Sequence, residues 1–239
     1  AVKRQREAMN FLCRFNLDRG FGYRFCLEAK PNEPRGDIYL ATTGHILHFI
    51  ESLEHSEMVG VNPEVAHENM PGLSMVHAVA QAMEVSKLFH IDLNAQRIGR
   101  YDQDLRFGSE DAKGAFFLVR LLEGTGGYDR YEGPRHFDAH AYRTEDWDGV
   151  WDFARGCMRT YKILAARAVA FDADPEVREI LEAARADSDG VGGLIGSFDA
   201  EKCAKLEALD LDPEALAQLG KRYERLDQLA MEHILGVKG

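Results

Sequence analysis

Several classes of protein are excluded by what this chain lacks. No apolar run approaches the roughly 20 residues that a spanning helix needs, so a membrane protein is excluded. Basic residues are in deficit. Lys and Arg total 29 against 40 Asp and Glu, a formal net charge of −11. That balance argues against nucleic acid or an anionic membrane as the main partner and suits a soluble protein, or one that collects cations. Cysteine is sparse and scattered. Cys13, Cys26, Cys157 and Cys203 form no Cys-x-x-Cys pair, which speaks against a zinc ribbon or a disulfide scaffold. Buried free thiols in a reducing cytoplasm are the simplest expectation. Ala1–Asn10 is charged and no apolar segment follows it, unlike a signal peptide. It has no initiating Met and reads as mid-helix, so the chain is expected to be the later part of a longer protein. A dinucleotide loop is missing too, since Gly190-x-Gly192-Gly193 follows a charged helix rather than a strand.

What remains is 239 residues, 45% hydrophobic and 29% charged, enough for one large domain or a domain with an appendage. Up to about residue 146 the texture is mixed. Short apolar runs at Tyr23–Leu27, Met58–Val61, Lys87–Asp92 and Pro134–Asp138 alternate with helical periods at Gly44–His55, Leu73–Val85 and Glu110–Glu123. Strands separated by helices of this length predict βα units and a parallel sheet. From residue 147 to 239 the strand signal ends. Trp147–Phe171, Pro175–Asp187, Ala200–Leu209 and Pro213–Leu235 read as helices, with Ser188–Ser197 as a glycine-rich connector. Pro175 and Pro213 stand where a helix can start without an amide donor.

The polar residues gather just after each apolar run. The first is followed by Glu28-Ala-Lys30-Pro-Asn-Glu-Pro-Arg-Gly-Asp37. Asn62-Pro-Glu64-Val-Ala-His67-Glu68 follows the second. The third reads His90-Ile-Asp92-Leu-Asn94, with Tyr101-Asp102-Gln-Asp104 beyond it, and the fourth reads His136-Phe-Asp138-Ala-His140. Every run delivers a carboxylate to the same rim, as in a barrel whose chemistry sits at one end. Carboxylates converge only if protons or cations cancel their repulsion. Oxygen donors with one imidazole suit Mg²⁺, Mn²⁺ or Co²⁺ better than a structural zinc. Glu64-x-x-His67 alone is weak, and a di-iron helical bundle would need a second such pair, which the sequence does not contain. Asp102-x-Asp104 does not open an EF-hand, because Lys113 holds the twelfth position. His45 and His48 are expected to be surface groups, and His90 and His136 to point away from the aspartates that follow them. Trp147 and Trp151 are expected to pack rather than bind.

In their order and detail these motifs resemble the xylose isomerase family, of its shorter length class. Phe107-Gly108 after Asp104-Leu-Arg, Arg143-Thr144, and Arg225-Leu-Asp-Gln-Leu-Ala230 add to the likeness. The resemblance implies the later half of a (β/α)₈ barrel, strands five to eight, over 1–146, followed by a helical arm for subunit association over 147–239. It implies two divalent cations, Mg²⁺ or else Mn²⁺ or Co²⁺. Glu28, Glu64, Asp92 and Asp138 would hold one, and Glu64, His67, Asp102 and Asp104 the other. Lys30 would polarise the sugar carbonyl, Asp104 would help move a proton between two oxygens, and Lys30, Asn62 and His140 would touch the substrate. The reaction would be a 1,2-hydride shift converting an aldose to a ketose, xylose to xylulose or glucose to fructose.

Two departures stand beside the site. Ala29 replaces a usual Pro, and His140 stands where Lys is frequent. The resemblance also implies a cytoplasmic homotetramer of carbohydrate metabolism. A complementary N-terminal half-barrel or other subunits would complete the barrel, and this chain would be inactive alone. The competing expectations are a non-catalytic assembly fragment that binds metal and a metal-dependent barrel hydrolase. The hydrolase would want more histidines and a basic surface.

Overall fold

A computed structural model of the chain describes residues 1–36, 38–196 and 198–238, with residues 186–190 given by backbone alone. Asp37 and Ser197, the last residues of the first rim motif and of the connector, lie outside the described residues. The chain divides into two units, Ala1–Ala168 and Val169–Gly239.

The first unit is built from βα repeats. Helix α1 (Val2–Arg19) precedes β1 (Phe25–Leu27), α2 (Thr43–Glu51), β2 (Val59–Val61), α3 (Val65–Asn69), α4 (Met75–Glu84), β3 (Ile91–Asp92), α5 (Ala112–Leu122) and β4 (Arg135–His136). Strands β1 and β2 are parallel, with Cys26 opposite Gly60, and β3 and β4 are parallel, with Asp92 opposite His136. Parallel bridges from Val61 to Leu88 and from Glu64 to Asp92 join the two pairs. The four expected strands therefore lie side by side in chain order, all parallel. They form an arc, and no closed barrel is present among the described residues.

The helices form where a cap meets an apolar face. Thr42, Ser74 and Asp111 each accept a backbone N–H three residues on, which satisfies a donor that the helix cannot. Behind these caps, Ile46, Phe49 and Ile50 of α2, Ala78, Val79 and Ala82 of α4, and Phe116, Val119 and Leu122 of α5 are buried at helical spacing. These faces cover one side of the arc. Cys13 and Cys157 are buried as expected for structural thiols, but Cys26 is exposed on β1, which is an edge among the described residues.

The helix α6 (Trp147–Ala173) follows, and the boundary between the units falls within it. In the second unit, α7 (Pro175–Gly192) starts at Pro175, with the Asp174 carboxylate accepting the Glu176 amide. It runs further than the sequence suggests, through Ser188–Gly192, where a glycine-rich connector is expected. After α8 (Ala200–Glu207), the single helix expected over Pro213–Leu235 is two: α9 (Pro213–Ala217) and α10 (Tyr223–Ile234). Gly220 lies in the break, and glycine is among the poorest helix formers. Arg222, just ahead of α10, takes a left-handed backbone at φ 52°. The unit is held by Val177, Ile180, Leu229 and Ala230, all buried, and by a bidentate Arg225–Glu176 pair with both N···O distances 2.8 Å.

Gly60 decides how closely β2 can approach the next strand. A methyl group added there would overlap the Phe89 ring and the Lys87 carbonyl oxygen. The backbone oxygen cannot turn aside, so Gly60→Ala should destabilise the fold by about 1–3 kcal/mol, the usual cost of overpacking. A urea melt of the variant measures this, and an unchanged midpoint would show that the sheet can yield.

Candidate metal centre

The rim groups converge because strand geometry aims them. Backbone bonds from Asn62 N–H to the Leu27 carbonyl (2.8 Å), Asp92 N–H to Pro63 (3.1 Å) and Leu93 N–H to His136 (2.9 Å) carry the register past the strand ends. Each chain segment therefore leaves the sheet beside its neighbour. Glu64 is 1% exposed and central. Three overlapping groups, Glu28–Glu64–His67, Glu64–Asp102–Asp104 and Glu64–Asp92–Asp138, each bring one donor atom per residue within 4.8 Å of one another. All seven residues named as cation ligands from the sequence are thus brought together.

Six of the seven are carboxylates, and their repulsion has to be offset. Asn62 Nδ2 donates to Glu28 (3.0 Å) and to Asp92 (2.7 Å). Asn94 Nδ2 donates to Glu64 (2.8 Å), to Asp104 (3.2 Å) and to the Asp138 carbonyl (2.9 Å), while its oxygen accepts the Ala66 amide at 2.8 Å. Lys30 Nζ lies 2.7 Å from Asp102 and 3.3 Å from Glu33, and Glu33 accepts the Asp102 amide. His67 Nε2 sits 3.0 Å from Asp102 and 3.4 Å from Glu64, and its Nδ1 is 3.2 Å from Glu28 without hydrogen-bond alignment.

Protonation follows from this arrangement. Burial, with Asp102 and Glu28 nearby, pushes Glu64 up to about 8. Burial alone would lower His67, but its contacts with Asp102 and Glu28 and the Glu64 charge outweigh it and raise the imidazole to about 10. Asp104 rises to about 6 through burial and the charges of Asp102 and Asp138. Asp102 goes the other way, to about 2, because His67 and Lys30 overcome its burial. Burial and the charges of Asp92 and Glu28 raise Asp138.

Two of the five non-glycine residues with positive φ among those described lie here. Asp104 has φ 44° and Glu33 φ 73°. Asp104 is pinned by the Ala95–Leu105 pair of backbone bonds next to it and by the His140 amide, which donates to its carbonyl at 3.0 Å. His140 itself turns its ring toward the carbonyl of Ala141, at 3.0 Å, and is exposed.

The groups not singled out from the sequence are mostly amides. Asn94 links three ligand-bearing segments. Gln96 is buried and donates to the carbonyls of Arg97, Arg100 and Tyr101 while accepting the Gln103 amide, so one side chain shapes the turn that presents Asp102 and Asp104. Glu68 accepts from the amide and hydroxyl of Thr43, tying α3, which bears His67, to the start of α2. The signal for Asn94 and Gln96 was their step of two from Asp92. The expectation for His90 is overturned. His90 Nδ1 lies 2.8 Å from Asn62 Oδ1 and 3.8 Å from Asp92, because residues two apart on a strand share a face.

The donor set fits hard divalent cations. Besides the gathered carboxylates, Asp102 Oδ1 is buried and accepts no hydrogen bond. Parallel βα units with such a rim define a class of protein, one with a divalent-cation centre at the carboxyl ends of its strands. No family model matches the chain. Among curated proteins, it is 59% identical over 234 residues to a xylose isomerase of Thermus thermophilus. It is 57% identical over 234 residues to one of Thermus caldophilus and 50% identical over 245 residues to one of Streptomyces lividans. These matches cover 98% of the chain for both Thermus proteins and 100% for the Streptomyces one, so the chain is related to xylose isomerases over essentially its whole length. It spans 59% of the length of each of those relatives.

Folding should take up protons here. The cation-free fold holds a proton on Glu64 to about 8 against an ordinary 4.5, on His67 to about 10 against 6.5, and on Asp104 to about 6 against 3.8. Unfolding releases them between those values, so stability should fall as pH rises from about 4 to about 10. Asp102 acts oppositely, with its contribution lost only on acidification from 3.8 toward about 2. Urea midpoints of EDTA-treated protein at pH 6 and pH 9 test the sign, and a higher midpoint at pH 9 would contradict it. Asn94→Leu keeps the volume and removes the linking amide. It should weaken Mn²⁺ binding about 10- to 100-fold by calorimetry, the usual effect of losing a partner that orients ligands.

Proposed function

We propose that this chain supplies the cation-binding part of an aldose–ketose isomerase of the xylose isomerase kind. The observation that carries the reading is the convergence of three groups, Glu28–Glu64–His67, Glu64–Asp102–Asp104 and Glu64–Asp92–Asp138, on a shared Glu64. The relatives' names give the chemistry its direction. In this reading Glu64 is shared by two divalent cations, Mg²⁺ or else Mn²⁺ or Co²⁺. Those cations, when bound, supply electrostatic stabilisation of charge developing on sugar oxygens.

The chain's own residues do the rest. The six carboxylates fix the charge and spacing of the centre. Lys30 has donors to spare for a carbonyl oxygen, and its contact with Asp102 keeps it charged. Asp104, held near about 6, is poised to exchange a proton around neutrality between two substrate oxygens. Asn62 and His140 flank the opening as substrate contacts.

The same reading assigns strands β1–β4 to the fifth to eighth strands of a (β/α)₈ barrel. A complementary half-barrel would then cover the edge at β1. An exposed aromatic ladder adjoins that edge: Phe11 stacks on Phe15, Phe15 meets Phe21, and Phe21 stacks on Tyr23. Residues 147–239 would serve as an arm for association in a homo-oligomer. Trp147 and Trp151 pack against each other yet remain 74% and 48% exposed, surface that an assembly would bury. The alternative is a non-catalytic assembly fragment, retained for association through its helical part.

Cation addition separates the two. A cation at 100 times its dissociation constant should raise stability by about 2.7 kcal/mol per site. A melt unmoved by millimolar Mg²⁺, Mn²⁺ or Co²⁺ favours the assembly fragment. With Mn²⁺ and D-xylose, the purified chain should form no xylulose, and co-expression with the part of a relative that it does not match should produce conversion. Turnover by the chain alone, or none from a complex that does form, would overturn the assignment.

A further inference from the structure

A second cluster lies beside the carboxylates and differs from them in donor type. His90, His136 and Asp92 each offer one donor atom, all within 4.8 Å of one another. The imidazoles meet edge to face, with His90 Nε2 3.0 Å from His136 Nδ1.

The hydrogen bonds fix which nitrogens are free. Asn62 presents its NH₂ group to two carboxylates, Glu28 and Asp92, so its orientation is determined. Its oxygen therefore faces His90 Nδ1 at 2.8 Å. An amide oxygen only accepts, so His90 Nδ1 carries the hydrogen and a neutral His90 has a bare Nε2. The contact at 3.0 Å is then His136 Nδ1–H donating to that lone pair. This is how ligating histidines are prepared: the far nitrogen is tied to a polar partner and the near one is left as a base.

We propose that His90, His136 and Asp92 form a third cation site, suited to borderline transition metals such as Ni²⁺, Cu²⁺ or Zn²⁺ and distinct in chemistry from the carboxylate-rich centre. Two imidazole nitrogens and one carboxylate favour those ions over Mg²⁺. Metal–nitrogen bonds of about 2.0–2.1 Å set the nitrogens of a tetrahedral site about 3.3 Å apart, so the rings need to open by only about 0.3 Å. The bonds balance without an added reagent. The cation takes the place of the hydrogen between the rings, and His136 moves that hydrogen from Nδ1 to Nε2 through solvent. His136 is exposed, so the ion has a direct approach. Because Asp92 also serves the carboxylate centre in the reading above, an ion here would hinder cation binding there, and that consequence alone rests on that reading.

The test is a Ni²⁺ titration of the full chain, without Mg²⁺ and with saturating Mg²⁺, followed by calorimetry and by NMR broadening of histidine ring signals. His136→Gln is the informative variant, since the side-chain hydrogen bond described for His136 runs to His90 and not to a carboxylate of the first centre. In the native chain, one Ni²⁺ equivalent should broaden His90 and His136 together, in the absence of Mg²⁺. His136→Gln should weaken that equivalent at least tenfold and leave Mg²⁺ binding intact, which also certifies the fold. Broadening confined to His67 or to the surface pair His45 and His48, or Ni²⁺ affinity unaffected by the variant, would overturn the site. If Mg²⁺ does not bind while Ni²⁺ binds as described, the functional reading falls and this site stands.

Discussion

The structure turns on the repulsion among six carboxylates held within a few ångströms around a buried Glu64. In water such a group would disperse, and in the partly buried rim the repulsion is stronger. It is tolerated because five of the six carboxylates meet a donor and Glu64 also keeps a proton. Lys30 and His67 take Asp102, Asn62 takes Glu28 and Asp92, and Asn94 takes Glu64 and Asp104, while Glu64 stays protonated to about 8. The compensation is incomplete, and that is its significance. The Asn94 NH₂ group has two hydrogens and three acceptors, so the Asp104 contact, at 3.2 Å, is the poorest of the three. An amide neutralises no charge. The remaining imbalance is what a divalent cation would relieve in the proposed centre.

The polar line along the third strand shows how register produces this rim. From His90 to Gln96 the residues alternate: His90, Asp92, Asn94 and Gln96 on one side, Ile91, Leu93 and Ala95 on the other. The second set is almost wholly buried, with Ile91 and Leu93 at 0% and Ala95 at 4% exposed. The apolar set anchors the segment against the helices, and that anchoring aims the polar set. A slip of one residue would exchange the two faces, so packing of Ile91 and Leu93 and placement of Asp92 are one constraint.

Much of this was legible in the sequence. The four strands fall inside the four apolar runs, and α2, α4 and α5 lie within a few residues of their expected spans, because the runs are short and continuous, the helical period of 3.6 is clean and the caps are ordinary. The carboxylates and His67 could be found because charged groups at successive strand ends are conspicuous. The amides were not. Asn94 and Gln96 carry no charge, and their importance comes from the number of partners each reaches, which depends on segments far apart in the chain. His90 was misread through alternation itself, since a step of two returns to the same face. The break before α10 was missed for a different reason. The apolar period continues through Leu216 and Leu219, and only Gly220 and the left-handed turn at Arg222 interrupt it.

Stability and function pull against one another at Glu64. The cation-free fold is favoured by keeping Glu64 and His67 protonated, but a carboxylate or imidazole that carries its proton is a poor ligand. A cation bound as proposed would therefore have to displace protons that the fold itself retains, and its apparent affinity would rise with pH over the range in which the cation-free protein weakens. In the proposed centre a cation would replace the proton as the positive charge that holds the rim together, and the geometry that raises these pKa values would become its ligand set.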